Sequence, residues 1–301
     1  MTIRDIFASL LIRVPFRITD EIYIKWLYRL KFGRKLNLEN PKTFQEKIQW
    51  LKLYNKKPEY TQMVDKYEVK SYMSALIGEQ YIIPTLGVWD TPEDIDWEKL
   101  PQQFVLKTTH GGGNGGVVVC QDKSKLTKGQ AVAKLKKSLK QDIYKTYREW
   151  PYKNVKKRII AEAYMSDDSE FNKGDLTDYK FYCFNGNAYK VMVCTDRNIG
   201  KPKFYSFDKA WNLLRHNNMG KAAPADFTLP KPEGMEEMFD LVEKIAAKLP
   251  FARVDMYYVK DRIYFGEVTF YPASGLDPNI LPEIDLLYGE MLTLPEKISC
   301  N

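Results

Sequence analysis

The chain has 301 residues, of which 44% are hydrophobic and 28% charged, so it can bury the core of one or two domains and is too apolar for a disordered protein. Its four cysteines form no C-x-x-C pair and no zinc-like spacing with histidine, which excludes the common structural zinc folds and favours a reducing cytoplasm. The formal net charge is +7, and residues 1–36, with eight basic and three acidic residues, hold +5 of it, so the chain lacks the distributed basic clusters of a nucleic-acid binder.

The N-terminal segment is apolar from Ile6 to Ile12, which is too short for a transmembrane helix of about 20 residues. Arg13 follows where a secretory signal would carry a small-residue cleavage site. Three roles stay open for it: a helix packed on the body of the protein, a basic amphipathic helix on an anionic membrane surface, or an oligomer contact.

Helices are predicted next. Apolar spacing predicts a helix over 20–33 that ends at Gly33, and Thr43 with Glu46 has the spacing of a capping box that starts another. A third helix is predicted over 61–77, where Lys66 and Lys70 lie one turn apart and are by default a solvated face.

A glycine loop lies between two apolar segments, 104–110 and Val117–Cys120. Five of the chain's 17 glycines occupy the six loop positions 111–116. Glycine lets backbone N–H groups approach an anion closely, and Lys107 in the preceding strand adds a positive charge. The pattern predicts a phosphate cradle, and ATP is the expected ligand.

Other glycine loops fit this segment less well. Gly111, Gly113 and Gly116 satisfy G-x-G-x-x-G, but the dinucleotide fingerprint needs a following helix, whereas valines here predict a strand. A Walker A loop is excluded because no Gly-Lys-Ser/Thr closes it. A hairpin flap over phosphates remains, with an ordinary surface hairpin as the alternative.

Further strands and a helix follow in the second half. A strand is predicted over 158–165, and a loop over 166–177. Strands over 179–184 and 188–193 are joined by an Asn-Gly turn, which is among the strongest hairpin signals. A short strand over 204–207 and a helix over 235–249 complete this part.

A second chemical pattern occurs in the hairpin formed by 253–259 and 263–269. A three-residue turn sets Val259 opposite Ile263 and therefore Asp255 opposite Glu267, with Cβ atoms about 5 Å apart. Two carboxylates at this distance repel unless a cation lies between them, and hard oxygen ligands suit Mg²⁺. Thr269 points to the same side. The alternatives are two unrelated surface acids or the acid pair of a glycoside hydrolase.

These motifs occur together in the order found in ATP-grasp proteins, and the chain resembles the TupA-like branch of that superfamily over about residues 37–295. The branch is associated with teichuronopeptide and other bacterial surface polysaccharides. The resemblance rests on Asn40–Trp50 (NPKTFQEKIQW), Asp65-Lys66-Tyr67, Phe104–Lys107 with His110-Gly111, Asp178–Phe181 and Glu267–Pro272 (EVTFYP).

The resemblance implies an α+β fold of the ATP-grasp type, with two α/β lobes clamping a nucleotide and a helical N-terminal extension. The implied divisions are 1–58 (helical region), 59–162 (nucleotide-clamping lobe with the flap) and 163–301 (lobe with the metal hairpin).

It also implies roles for residues. The nucleotide would be bound by Lys66, Lys107, His110, Gly111, Gly112, Gly113, Gly115, Gly116, Glu162 as the hinge acid beside adenine, Tyr164, and Asp178 at the ribose. The metal ligands would be Asp255, Glu267 and Thr269, the last standing where most of the superfamily has asparagine. Arg253 would steady the acyl phosphate, with Lys180 and Arg197 as further phosphate or substrate contacts.

The implied activity is a carboxylate–amine ligase that uses ATP and Mg²⁺ and acts through an acyl phosphate in capsule or cell-wall polysaccharide synthesis. A uronic acid with an amino acid or amino sugar is the favoured substrate pair. The expected location is cytoplasmic, with peripheral contact to a membrane or assembly complex through residues 1–36. The alternatives are a phosphotransferase to a sugar hydroxyl and a nucleotide-bound scaffold.

Overall fold

A computed structural model describes residues 18–112, 116–166, 176–196 and 202–297. The predictions for the apolar segment Ile6–Ile12 and for Gly113, Gly115 and Arg197 lie outside these ranges. Within them, no helix is long and apolar enough to cross a membrane.

The first sheet contains the glycine hairpin. Its four antiparallel strands, in the order β1-β4-β2-β3, are β1 (Thr85–Trp89), β2 (Phe104–Thr108), β3 (Val117–Cys120) and β4 (Ile159–Ala163). Lys107 pairs with Val117 across the hairpin, so a strand and not a helix follows the glycine loop, as predicted. Helix α5 (Lys128–Leu139) packs on this sheet through Ala131 and Leu135.

The second sheet has six antiparallel strands in the order β10-β9-β5-β6-β7-β8. They are β5 (Asp178–Phe184), β6 (Asn187–Thr195), β7 (Lys203–Phe207), β8 (Leu213–Leu214), β9 (Phe251–Val259) and β10 (Arg262–Thr269). Helix α8 (Met235–Ala246) covers one face, where the ring of Phe239 meets Phe181 edge-on at 4.9 Å. The opposite face is rich in charged side chains between β5, β9 and β10.

The remaining helices in the described ranges are α1 (Asp20–Phe32), α2 (Phe44–Tyr54), α3 (Pro58–Val64), α4 (Glu68–Ile77), α6 (Ile143–Tyr147), α7 (Asn218–Ala222) and α9 (Pro282–Met291). The predicted caps are confirmed: Gly33 ends α1 at φ 73°, and Thr43 and Glu46 form the capping box of α2.

The single helix predicted over 61–77 is wrong, because the chain breaks between α3 and α4. Asp65 Oδ1 accepts hydrogen bonds from the backbone N–H groups of Tyr67 and Glu68, at 2.8 and 3.2 Å. An aspartate that captures these groups offers the backbone an alternative to the helix. The break lets the Lys66 N–H donate to the Thr109 carbonyl at 3.0 Å and so fixes Lys66 next to the glycine hairpin.

The turn between β9 and β10 also differs from the prediction. Val259 pairs with Arg262, so the turn has two residues, Lys260 and Asp261, both at positive φ (50° and 59°). That is the geometry of a type I′ hairpin. A bulge between Phe265 and Glu267 then shifts the register by one residue, so that Asp255 nevertheless faces Glu267.

The two sheets meet beside β10. Ile82, just before β1, forms an isolated parallel bridge with Phe265. This contact brings the end of the first sheet toward the charged face of the second.

Candidate nucleotide and metal site

The centre of the charged face is the guanidinium group of Arg253. It donates to both carboxylate oxygens of Asp255 at 2.7 and 2.8 Å, and to Glu267 Oε1 and Thr269 Oγ1 at 3.0 Å each. Arg253 pairs with Thr269 across β9 and β10, and Asp255 with Glu267, so all four side chains share one face of the sheet. The carboxylate pair predicted from the sequence is therefore present, with Arg253 between its members.

Two lysines from other elements reach the same carboxylates. Lys180 lies in β5 and pairs with Asp255 of the neighbouring strand β9. Its ammonium group donates to Asp255 Oδ2 at 2.5 Å and lies 3.1 Å from Asp178 Oδ2. Lys66, from the break between α3 and α4, donates to Glu267 Oε2 at 3.3 Å. Seven of the predicted residues thus converge from segments that are far apart in the chain: Lys66, Asp178, Lys180, Arg253, Asp255, Glu267 and Thr269.

The first sheet supplies a separate cluster on its interior strands β2 and β4. Glu162 in β4 accepts one lysine on each carboxylate oxygen: Lys107 at 2.6 Å and Lys70 at 2.7 Å. Lys70 also donates to the Ile83 carbonyl at 2.6 Å. Lys107, the strand lysine of the glycine hairpin, and Glu162, the predicted hinge acid, are therefore in direct contact.

The charges shift the acid–base behaviour of both clusters. Burial alone would raise the pKa of Glu162, but Lys107 and Lys70 outweigh it and lower the pKa to about 2. Burial likewise acts to raise the pKa of Glu267, and Lys66 and Arg253 with Lys180 lower it to about 2. Both carboxylates are therefore ionised at neutral pH, as binding of a cation requires.

The donor set fits Mg²⁺. Among the described residues, no group of three or more histidine, cysteine, aspartate or glutamate side chains lies together as a closed metal site. Asp255 and Glu267 supply two carboxylates and Thr269 a hydroxyl, and the Glu267 side chain is 41% exposed. Mg²⁺ is commonly held by one or two carboxylates together with water and substrate phosphates. These residues would hold it, and it would neutralise the charge of a bound phosphate group.

The described ends of the glycine loop pack closely on helix α5. A Cβ at Gly116 would lie 2.1 Å from Ser138 Oγ, and one at Gly111 would lie 2.4 Å from Thr108 Oγ1. These two hydroxyls bond each other at 2.8 Å. Glycine is therefore required at both positions by packing, whereas Gly112 is exposed.

The other predicted nucleotide residues lie at different distances from the clusters. His110 is buried, its Nε2 lies 3.2 Å from the Gln141 carbonyl, and burial lowers its pKa to about 4, so it is neutral at pH 7. Tyr164, just after β4, accepts a hydrogen bond from Gln121 at 2.8 Å. Asp178 is next to Lys180. The roles assigned to these residues stay predictions.

Sequence reasoning missed one residue at the site. Lys70, taken for a solvated lysine, is instead largely buried against Glu162; its i, i+4 spacing from Lys66 was the available signal.

A family model, described as TupA-like ATPgrasp, matches residues 46–293. The chain belongs to this family. The match confirms the resemblance and the ATP-grasp fold class, and ATP and Mg²⁺ are the cofactors of ATP-grasp ligases. A search of curated proteins finds none that matches the sequence.

Solved structures show distant similarity to this TupA-like ATP-grasp chain. The L-amino acid ligase from Bacillus licheniformis is 14% identical with a TM-score of 0.47, over 86% of this chain and 57% of that one. D-alanine–D-alanine ligase from Bacillus anthracis, complexed with ATP, is 16% identical with a TM-score of 0.43, over 76% and 63%. The ATP-grasp ligase PsnB with minimal precursor, Mg and ADP is 11% identical with a TM-score of 0.40, over 81% and 66%. This chain therefore spans between about half and two thirds of the length of these structures.

Proposed function

We propose that the protein is an ATP- and Mg²⁺-dependent carboxylate–amine ligase. The observation that carries the proposal is the guanidinium group of Arg253, bonded at once to Asp255, Glu267 and Thr269. Lys180 donates to the carboxylate of Asp255 and Lys66 to that of Glu267. In this arrangement lysines occupy the carboxylates that a metal ion would use. Binding of a magnesium nucleotide would exchange these ion pairs for metal–carboxylate and lysine–phosphate pairs.

The proposed ligase reaction has two steps, formation of an acyl phosphate and formation of the amide. An oxygen of the substrate carboxylate attacks the γ-phosphorus, the bond to the β-phosphate oxygen breaks, and an acyl phosphate and ADP form. The amine nitrogen then attacks the acyl carbon, inorganic phosphate leaves, and one proton is released. Both steps demand positioning and charge neutralisation, which cations such as Lys107, Lys180 and Arg253 provide.

The substrates in this proposal are those of bacterial capsule or cell-wall polysaccharide assembly: a uronic acid as the carboxylate and an amino acid or amino sugar as the amine. Support comes from the TupA-like family match and from the absence of a nucleophile–base pair in the sequence motifs.

The test supplies ATP, Mg²⁺, ¹⁸O-carboxylate glucuronic acid and a panel of amino acids and hexosamines. Mass spectrometry should find an amide, ADP and phosphate carrying one ¹⁸O atom, because the carboxylate oxygen leaves with the phosphate. AMP and pyrophosphate would contradict the proposal. A stable phosphorylated sugar formed without any amine would identify the alternative, a phosphotransferase. ATP binding that survives Asp255→Asn with Glu267→Gln, without turnover in the wild type, would identify a scaffold.

We also propose that helix α1 contacts an anionic membrane surface. Ile22 and Trp26 are 50% and 60% exposed, one turn apart. Arg29 and Lys25, which pairs with Glu21, are exposed on the same side. An exposed tryptophan flanked by cations is typical of interfacial helices. The fraction of protein that sediments with phosphatidylglycerol-containing vesicles should fall in Trp26→Ser. It should stay unchanged in Leu286→Ser, which replaces an exposed leucine on α9. Equal loss in both variants would contradict this surface.

A further inference from the structure

A buried polar cluster lies under the turn that follows the metal hairpin. We define the Lys52 cluster as Gln49 and Lys52 of α2, Glu149 and Ser274. Lys52 is 1% exposed, and its ammonium group donates to the Ser274 carbonyl at 2.6 Å, to Gln49 Oε1 at 3.1 Å and to the Tyr147 carbonyl at 3.2 Å. The Ser274 hydroxyl donates to Glu149. Burying two charged groups is costly unless each is paired and hydrogen-bonded, so this cluster needs an explanation.

The turn that the cluster contacts has an unusual backbone. Ala273, Ser274 and Gly275 lie at φ 45°, 58° and 62°, in succession. Positive φ at the two non-glycine residues is energetically unfavourable and persists only where the surroundings enforce it. Gln49 Nε2 supplies part of this constraint, since it donates to the carbonyls of Ser274 and Gly275 at 2.9 and 2.8 Å.

The turn is directly continuous with the metal hairpin. Thr269 is the last residue of β10. The ring of the next residue, Phe270, stacks on the ring of Tyr60 with 4.2 Å between centroids. Further along, the Ser274 N–H donates to the Tyr271 carbonyl at 2.8 Å. The cluster therefore contacts a turn that follows the metal hairpin directly in the chain.

We propose that Gln49, Lys52 and Glu149 are positioning residues that hold the turn Ala273–Gly275 and, through it, fix the end of β10 that presents Glu267 and Thr269 to the metal. The proposal rests on the proposed magnesium–nucleotide site.

The experiment measures ADP affinity by calorimetry, once in excess Mg²⁺ and once in EDTA, for the full-length wild type and two variants. Gln49→Leu removes both bonds to the turn carbonyls and one acceptor of Lys52, which keeps the carbonyls of Ser274 and Tyr147. Lys52→Met with Glu149→Gln removes both buried charges together, so that no uncompensated charge is left to unfold the protein. The matched control is Val242→Ala, which opens the core on the opposite face of the second sheet, where Val242 is fully buried.

The expected result is that both cluster variants bind ADP in EDTA within twofold of the wild type, while the gain in affinity on adding Mg²⁺ falls at least tenfold. Val242→Ala should keep the full gain even where it lowers the melting temperature as much. A full Mg²⁺ gain in both cluster variants would overturn the positioning role and leave the proposed function intact. A wild type with no Mg²⁺ gain would overturn the proposed site, and the positioning role with it.

Discussion

Asp255 and Glu267 face each other across β9 and β10 because one irregularity compensates for another. The turn is one residue shorter than predicted, and the bulge at Gly266 restores the register. A Cβ at Gly266 would lie 2.9 Å from the Asp255 carbonyl oxygen and 3.0 Å from the Tyr257 ring. The carboxylate pair therefore depends on a glycine that carries no chemistry of its own.

We expect Gly266→Ala, at the bulge, to lower the free energy of unfolding by about 1–3 kcal/mol, because the added methyl group would press against Asp255 and Tyr257. The Mg²⁺-dependent gain in ADP affinity should fall with it. Urea unfolding and calorimetry measure the two effects. Gly129→Ala is the control, because its Cβ would have no neighbour closer than 4.0 Å and Ala is favoured over Gly in a helix. Equal stability changes in the two variants would refute the packing argument.

We predict that Asp255→Asn and Glu267→Gln, at the two proposed metal ligands, each lower the Mg²⁺-dependent gain in ADP affinity by at least about tenfold, because each would remove a charged oxygen ligand. Isothermal calorimetry with ADP measures it. Asp261→Asn makes the same chemical change at the exposed tip of the same hairpin, at a positive φ that asparagine tolerates. A loss in Asp261→Asn as large as in the other two would show that the hairpin, not the ligand pair, is responsible.

We expect Lys107→Met, at the strand lysine of the glycine hairpin, to lower the affinity for ADP in EDTA by about tenfold or more. The substitution would remove an ion pair between the lysine and a phosphate group. Calorimetry without metal isolates this term. Lys125→Met, at an exposed lysine that pairs with Asp122, should bind ADP like the wild type. Unchanged binding in Lys107→Met would remove the flap from the nucleotide site.

The cluster around Glu162 predicts a specific loss of stability in acid. A carboxyl group whose folded pKa is lowered stabilises the protein above its unfolded pKa, here 4.5, and loses that contribution as the pH falls toward the folded pKa of about 2. The lowered pKa of Glu162 corresponds to a contribution of at most about 3 kcal/mol to the free energy of unfolding. The net contribution is smaller where the partner amine is itself removed from water. Burial lowers the pKa of Lys70, so that partner does incur a cost.

The measurement compares urea unfolding of the wild type and Glu162→Gln at pH 7 and pH 3.5. The free energy of unfolding of the wild type should exceed that of the variant by less at pH 3.5 than at pH 7. Glu93→Gln removes an exposed acid that pairs with Lys136, and its difference from the wild type should stay small at both pH values. A difference between wild type and Glu162→Gln that does not depend on pH would contradict the ion-pair assignment.

Local pattern predicted much of the fold. The capping box at Thr43, the stop at Gly33 and the hairpin turn at Asn185-Gly186 all formed as expected, because each depends on residues a few positions apart. The long helix over 61–77 failed for the same kind of reason: the side chain of Asp65 captures nearby N–H groups more favourably than the helix does. The proposed domain boundaries stay a prediction.

By itself, the sequence determined the strand lysine and the glycine loop, since these follow from short-range spacing. It also predicted that Asp255 faces Glu267, but the folded chain reaches that pairing through a shorter turn and a compensating bulge. Only the tertiary structure decided which cations meet those acids. Lys66 and Glu267 are 201 positions apart, and Lys52 contacts Ser274 across 222. Contacts over such distances form only when separate elements pack together, and no periodicity within one segment encodes them. The pairing of charges, on which the proposed chemistry depends, is therefore a property of the folded chain.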